Sequence, residues 1–237
     1  MKFEAVKTSI YQPSMDIIKF IDENVRGSLK EGDVLAITSK IVSLSENAFA
    51  PASESKEDLV KREADQFLGE IGYGCYLTIK DGLLIASAGI DESNSEGGQF
   101  ILYPEDPYLS AQNILYSLKK LFKLKKIGVI LTDSHTIPLR RGVTGITLSY
   151  AGFKAVKNMV GSKDLFGREL MMTSMNIVDG LSSTATLMMG EGAESCPLVI
   201  IKGADVDFVE KVDPQELAID FKEDLYYPLY KNLMEKK

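Results

Sequence analysis

Along this chain of 237 residues, hydrophobic positions come either in short unbroken runs or at helical spacing. Val34-Leu35-Ala36-Ile37, Ile127-Gly128-Val129-Ile130-Leu131-Thr132 and Leu198-Val199-Ile200-Ile201 are apolar runs of strand length. Phe3 to Ser9 alternates weakly and predicts a first strand, and Thr144 to Tyr150 another. Tyr76 to Lys80 and Leu83 to Ser87 flank Asp81-Gly82, whose two turn positions both accept positive φ, so a β-hairpin is expected that delivers Asp91. Helical spacing predicts four helices. One is introduced by Pro13-Ser14 and buries Ile17, Ile18, Ile21 and Val25. A second opens at Ser55 with Asp58 and carries Leu59, Val60, Ala64, Phe67 and Leu68 out to Gly69. The third runs from about Tyr108 to Phe122 on Ile114, Leu115, Leu118, Leu121 and Phe122, with Lys119, Lys120 and Lys123 where the helix dipole favours cations. The fourth covers roughly Met175 to Met189, and its Met/Leu-rich side is expected to fill the core. Asp213-Pro214 with Glu216 predicts the start of a terminal helix, bent or stopped by Pro228.

Composition narrows the class of protein. A hydrophobic content of 45% suits a soluble chain with one large core or two closely joined ones. A net charge of -7 provides no basic stripe for nucleic acid, and Lys119-Lys120, Lys125-Lys126 and Arg140-Arg141 are too short to create one. The apolar runs fall far below the ~20 residues of a membrane span. The polar start Met1-Lys2-Phe3-Glu4 has no secretory core, and only two cysteines occur, Cys75 and Cys196, so a cytoplasmic protein is expected. Neither their spacing nor a histidine cluster supports a disulfide or zinc site, and both are expected as small buried hydrophobes.

Three oxygen-rich turns carry the candidate chemistry. Ser87-Ala88-Gly89-Ile90-Asp91-Glu92-Ser93-Asn94 follows the hairpin, Asp133-Ser134 follows an apolar run, and Glu191 is bracketed by Gly190 and Gly192. Asp, Asn, Ser and Gly are also the ordinary residues of turns, but here each acid ends or interrupts an apolar segment. Together they suit one hard divalent cation, Mg2+ or Mn2+, and such ions held by a few carboxylates usually hold substrate phosphates too. Thr38-Ser39-Lys40, after Val34 to Ile37, reads either as a capped turn with a surface lysine or as a phosphate contact. The lone histidine, His135, beside Asp133 and Ser134, does not form a catalytic triad, because adjacent residues on one loop do not direct side chains into a linear relay. It is expected as a substrate-loop or exposed residue.

From about Phe3 to Ala204 the chain resembles the coenzyme F420-0:γ-glutamyl ligase family. The resemblance rests on Gly32-Asp33-Val34-Leu35 with Thr38-Ser39-Lys40-Ile41-Val42-Ser43, on Ala88 to Asn94, and on Gly128-Val129-Ile130 with Thr132-Asp133-Ser134. It continues through Arg140-Arg141-Gly142, Gly161 to Leu170, and Met189-Gly190-Glu191-Gly192. It implies a mixed α/β fold of packed helices and mixed sheets in two intimately joined subdomains, within one domain over 1–237 with a possible inner part at about 88–190. It also implies a homodimer. The implied reaction adds L-glutamate through its amine to a cofactor carboxylate activated as an acyl phosphate, using GTP or ATP and a divalent metal. Carried over by position, Asp91, Asp133 and Glu191 would be catalytic, and with Ser134 would ligate metal. Ser39, Lys40, Asn94 and the turn Gly190, Gly192, Ala193, Glu194 and Ser195 would lie against the nucleotide, the turn amides forming an anion nest. Arg140 and Arg141 would bind substrate.

Two segments depart from the family pattern. Its Ser-Lys-Ala-Glu-Gly-Arg is here Ser43-Leu44-Ser45-Glu46-Asn47-Ala48, so Leu44 replaces a lysine expected near the nucleotide. The Thr and Gly-Arg pair after the metal-site aspartate is here Ser134-His135-Thr136-Ile137-Pro138. Serine keeps an oxygen ligand, while each lost charge-assisted hydrogen bond costs roughly 1.5–3 kcal/mol, enough to alter substrate preference. The acceptor expected first is of the deazaflavin F420-0 type. Tetrahydrofolate, with poly-γ-glutamate as product, is an alternative, and so is a nucleotide- or metal-binding homologue without ligase activity.

Overall fold

The computed structural model describes residues 1–13, 15–93 and 95–234. In chain order its elements are β1 (Lys2–Val6), α1 (Ile17–Val25), β2 (Val34–Thr38), α2 (Ser39–Ser45), β3 (Phe49–Ala50), α3 (Lys56–Glu63), β4 (Gln66–Glu70), β5 (Tyr76–Lys80), β6 (Leu83–Ala86), β7 (Phe100–Ile101), α4 (Pro107–Phe122), β8 (Gly128–Thr136), β9 (Val143–Ala151), β10 (Val156–Asn158), β11 (Ser174–Asn176), α5 (Ile177–Met189), β12 (Leu198–Lys202) and α6 (Tyr227–Met234). The α/β fold class expected from the sequence is what the chain adopts.

The central sheet has the order β1-β12-β2-β8-β9. β2 and β8 run parallel, and the other neighbours pair antiparallel. The unbroken apolar runs lie in β2, β8 and β12 because both faces of the sheet are covered. Along β2, Leu35 and Ile37 enter a core with Ile21 and Val25 of α1 and Ile114, Leu115 and Leu118 of α4. Val34 and Ala36 point the other way, into a core with Val178, Leu181 and Ala185 of α5. At the β8–β9 ladder the register shifts: Leu131 pairs with Ser149 and Thr132 with Thr147, so Leu148 is a surplus residue in β9. A second sheet, β4-β5-β6, and the pair β3-β7 carry the segment that contains Asp91. The β5–β6 hairpin turns at Asp81 (φ 50°) and Gly82 (φ 75°), the double positive φ that the pair was expected to supply.

The helices follow their caps. Asp16 accepts a hydrogen bond from the Lys19 amide at the start of α1, and Asp106 from Leu109 at the start of α4, where Pro107 takes the first turn. Ser14, expected near the start of the first helix, lies outside the described residues.

Several expectations are corrected. α3 ends at Glu63, and Phe67 belongs to β4: the Leu59-to-Leu68 spacing mimics a helix, but pairing with β5 takes the segment after Ala64. The first strand stops at Val6. β8 does not end at Asp133 but continues to Thr136 by pairing with β9. α5 starts at Ile177, Met175 sits exposed in β11, and Met188 is exposed while Met189 is buried, so the methionine side is only partly core. Leu121 is exposed. Asp213 caps a single 3-10 turn, Pro214–Glu216, and Pro228 lies in the first turn of α6 instead of ending a helix. Cys75 and Cys196 are half-buried free thiols, not core residues. Among the described residues no helix is long and apolar enough to cross a membrane.

Candidate active site

Strand geometry distributes the acids. Successive side chains of β8 face opposite sides of the sheet, so Thr132 and Ser134 turn toward α5 and Asp133 turns away. Thr132 Oγ1 lies 3.1 Å from Thr186 Oγ1 of α5. Ser134 Oγ donates to Glu191 Oε1 at 2.7 Å, just beyond the end of α5. On the other side, the Tyr103 hydroxyl donates to Asp133 Oδ2 at 2.5 Å. Tyr103 is buried, and its ring rests against Gly89, where a β-carbon would come within 2.1 Å of the ring. Gly89 also has φ +71°, a left-handed conformation that side chains other than glycine's rarely adopt. That glycine therefore couples the turn before Asp91 to the strand that bears Asp133.

Asp91 is fixed through its backbone, which exchanges both hydrogen bonds with Ile101. Its carboxylate meets Lys40 Nζ at 2.6 Å and accepts from the Ser93 amide at 2.6 Å. Lys40, in the first turn of α2, also donates to the Ser93 carbonyl at 3.0 Å. Burial pushes the Asp91 carboxyl up, but the ammonium and the amide outweigh it, leaving the pKa below the ordinary aspartate value. Asp133 has no such cation in contact. Burial, with the nearby Asp91 charge, pushes its pKa up to about 6 despite the Tyr103 hydrogen bond. The Tyr103 hydroxyl is raised well above its usual value by burial and by the Asp133 charge. Burial lowers His135, which stays neutral at pH 7.

Apart from the buried Tyr103, these groups line one cleft of about 1100 Å³. Lys40, Asp91, Asp133, Ser134 and the turn Gly190, Glu191, Gly192, Ala193, Glu194 and Ser195 all contribute to it, as does His135. Within the turn, the Gly192 amide donates to Glu194 Oε2 at 2.8 Å, and the Ser195 carbonyl accepts from the Thr8 amide at 2.9 Å. The amide is thus already holding an anion, the chain's own. Ser39 does not reach the cleft: it is buried, and its carbonyl accepts from Ser43 Oγ at 3.0 Å. Arg140 and Arg141 are exposed on the turn between Pro138 and Val143, which do line the cleft. Asn94 lies outside the described residues. Leu44 lines the wall and packs on the core.

The three turns expected to share one ion line the same cleft. Among the described residues, no three His, Cys, Asp or Glu side chains draw together as an ion cage. Asp91, Asp133 and Glu191 instead each hold a protein partner, namely Lys40, Tyr103 and Ser134. Their chemistry still fits a hard cation. Among the described lining residues four carboxylates, Asp91, Asp133, Glu191 and Glu194, face a single ammonium, Lys40, and hydroxyl oxygens accompany them. Spacing along the chain gave no sign of Tyr103 or Thr186, because each acts on a residue at least 30 positions away. The strip Thr8 to Pro13 in the cleft wall was likewise hidden, being neither apolar nor periodic.

Over residues 5–203 the chain matches the family described as F420-0:gamma-glutamyl ligase. It belongs to that family. A coenzyme F420:L-glutamate ligase of Methanopyrus kandleri is 34% identical over 211 residues, covering 81% of this chain and 82% of the relative. Its namesake in Archaeoglobus fulgidus is 34% identical over 209 residues, with coverage of 81% and 82%. That of Methanocaldococcus jannaschii is 35% identical over 199 residues, covering 76% and 79%. Membership in the F420-0:gamma-glutamyl ligase family supports a glutamate-adding ligase, and the matched span contains every site segment from Lys40 to Ser195.

Proposed function

We propose that this protein is an amide-forming ligase that joins the amine of L-glutamate to a carboxylate of an F420-0-type acceptor, with GTP or ATP and Mg2+ or Mn2+. The observation that carries this reading is the charge of the cleft: four carboxylates against one ammonium repel a triphosphate unless cations arrive with it. Asp91, Asp133 and Glu191, with the Ser134 hydroxyl, would hold those cations, which when bound offset phosphate charge and orient in-line transfer.

The chain's own groups account for the remaining work. Lys40 supplies a point charge to phosphate oxygens, and the Gly190 to Ser195 turn offers amides where Glu194 now sits. Arg140 and Arg141 at the rim reach an anionic substrate. Chemically, an acceptor carboxylate oxygen attacks the γ-phosphorus, and the bond to the departing nucleoside diphosphate breaks. The glutamate amine then attacks the acyl carbon, phosphate leaves with the C–O electron pair, and the nitrogen loses a proton to form the amide.

Incubating the protein with L-glutamate, GTP or ATP, Mg2+ or Mn2+, and either F420-0 or tetrahydrofolate tests this directly. A mass gain of one glutamyl unit on F420-0 is expected. Product on tetrahydrofolate alone would move the acceptor to folates, and no product with either would overturn the ligase reading.

A further inference from the structure

The cleft has a second character that phosphate chemistry does not use. Ile10 from the strip after β1, Ile71 just after β4, Leu84 of β6, Ile137 just after β8 and Val143 at the start of β9 are exposed aliphatic side chains that all line it. They come from three separate regions of the chain, and Leu77 of β5 adds to the same wall. Exposed apolar side chains gathered in a concave site mark a place where a ligand completes the burial.

We propose that this aliphatic wall is the subsite for the flat aromatic ring of the acceptor, a planar tricyclic or bicyclic heterocycle whose carboxylate-bearing tail extends to Asp133. The proposal rests on the ligase reading above and assigns the acceptor end of the cleft to residues. Three observations favour a ring over a second polar ligand. The six side chains are uncharged aliphatics, so none of them can orient glutamate or phosphate, whereas the Arg140 and Arg141 cations stand apart on the exposed turn between Pro138 and Val143. The wall's members are aliphatic, and flat rings gain by covering such side chains with both faces. Ile137 lies four residues beyond Asp133, on the order of 13 Å along extended backbone, which separates a ring from a reacting carboxylate by the length of a tail. The cleft volume, about 1100 Å³, also lies at or above the upper end of the ~300–1,000 Å³ range for one ligand, as a site for several substrates requires.

Leu84 and Ile10 are the informative positions, because they are 44% and 74% exposed and replacing them leaves the fold intact. The probe is a deazaflavin riboside, which is the ring without its carboxylate tail, titrated by fluorescence against protein free of metal and nucleotide. Wild-type protein is expected to bind it. Leu84→Ser and Ile10→Ser are each expected to weaken binding about 5–10-fold, with Leu84→Ile restoring it, while nucleotide affinity measured in parallel with Mg2+ stays within twofold. Ring binding that is absent in the wild type, or equal in all variants, overturns the subsite. Ring binding does not require turnover, so a protein that binds the ring as described but forms no amide sinks the ligase reading and keeps the subsite. A protein that ligates while its ring affinity ignores these substitutions sinks the subsite alone.

Discussion

Asp133 holds its proton more tightly than an ordinary aspartate, and the direction of its effect on stability follows. Folding raises its pKa from 3.8 to about 6, so between those values the native state binds more protons than the unfolded one. Stability of the metal-free protein therefore falls as pH rises through that window. Above it, the ionised carboxylate costs on the order of 3 kcal/mol. Asp133→Asn keeps an acceptor for the Tyr103 hydroxyl and removes the charge. Thermal unfolding of metal-free protein at pH 7.5 should show a higher Tm for this variant, and the advantage should vanish near pH 4. Glutamate ligation should be lost. An Asn variant no more stable than wild type at pH 7.5 would contradict the assigned burial of charge. Asp91 behaves differently, because Lys40 already neutralises it in a partly exposed pair worth at most about 1 kcal/mol. Asp91→Asn should leave Tm within a few degrees while lowering metal-dependent turnover at least 100-fold, as read from phosphate release.

At the level of elements, the site depends on contacts that hold neighbouring segments at fixed spacing. Gly89→Ala forces a side chain into both a left-handed backbone and the Tyr103 ring, so a loss of at least about 2 kcal/mol is expected. For a chain this long that is roughly 4–8 °C in Tm, and activity should fall further than stability, since Tyr103 leaves Asp133. Thr186→Val keeps shape but strips the partner from the buried Thr132 hydroxyl, costing about 1–3 kcal/mol. Thr186→Ser should restore most of it in the same denaturation assay. The elements themselves were legible where local pattern and tertiary context agree, as in Val34 to Ile37, the Asp81-Gly82 hairpin and the helix expected from about Tyr108 to Phe122. They were illegible where a distant partner decides. Phe67 and Leu68 keep helical spacing with Leu59 and Ala64, but β5 recruits them into a strand. α2 was missed for the opposite reason, because Thr38-Ser39-Lys40 looks like a turn until Ile41 and Val42 find the core.

Across the whole molecule, the acids were legible because they end apolar runs, whereas the wall facing them was not. Ile10, Ile71, Leu84 and Ile137 come to line one cleft only after three regions fold together, and no spacing announces it. The negative lining gives a prediction at this scale: Mg2+ or Mn2+ added to metal-free protein should raise Tm in a concentration-dependent way, by about 2.7 kcal/mol of stability at 100 times Kd. Chelation should reverse it, and the Asp91→Asn variant should respond less. A flat Tm across the titration would remove the acids from any role in holding cations.

The surplus residue at Leu148 has its own consequence. Leu148 and Ser149 both turn to the α4 side, so Thr147 comes round to meet Ser182 and Asp179 of α5. Because Leu148 and Ser149 share a face, deleting Leu148 would make the ladder regular, leave Val143 to Thr147 in phase with α5, and remove one apolar side chain from the α4 core. The extra letter is thus absorbed without turning the strand over, and the hydroxyls of Thr144 and Thr147 keep their partners Ser183 and Ser182 on α5, the helix that leads to the glutamate-bearing turn.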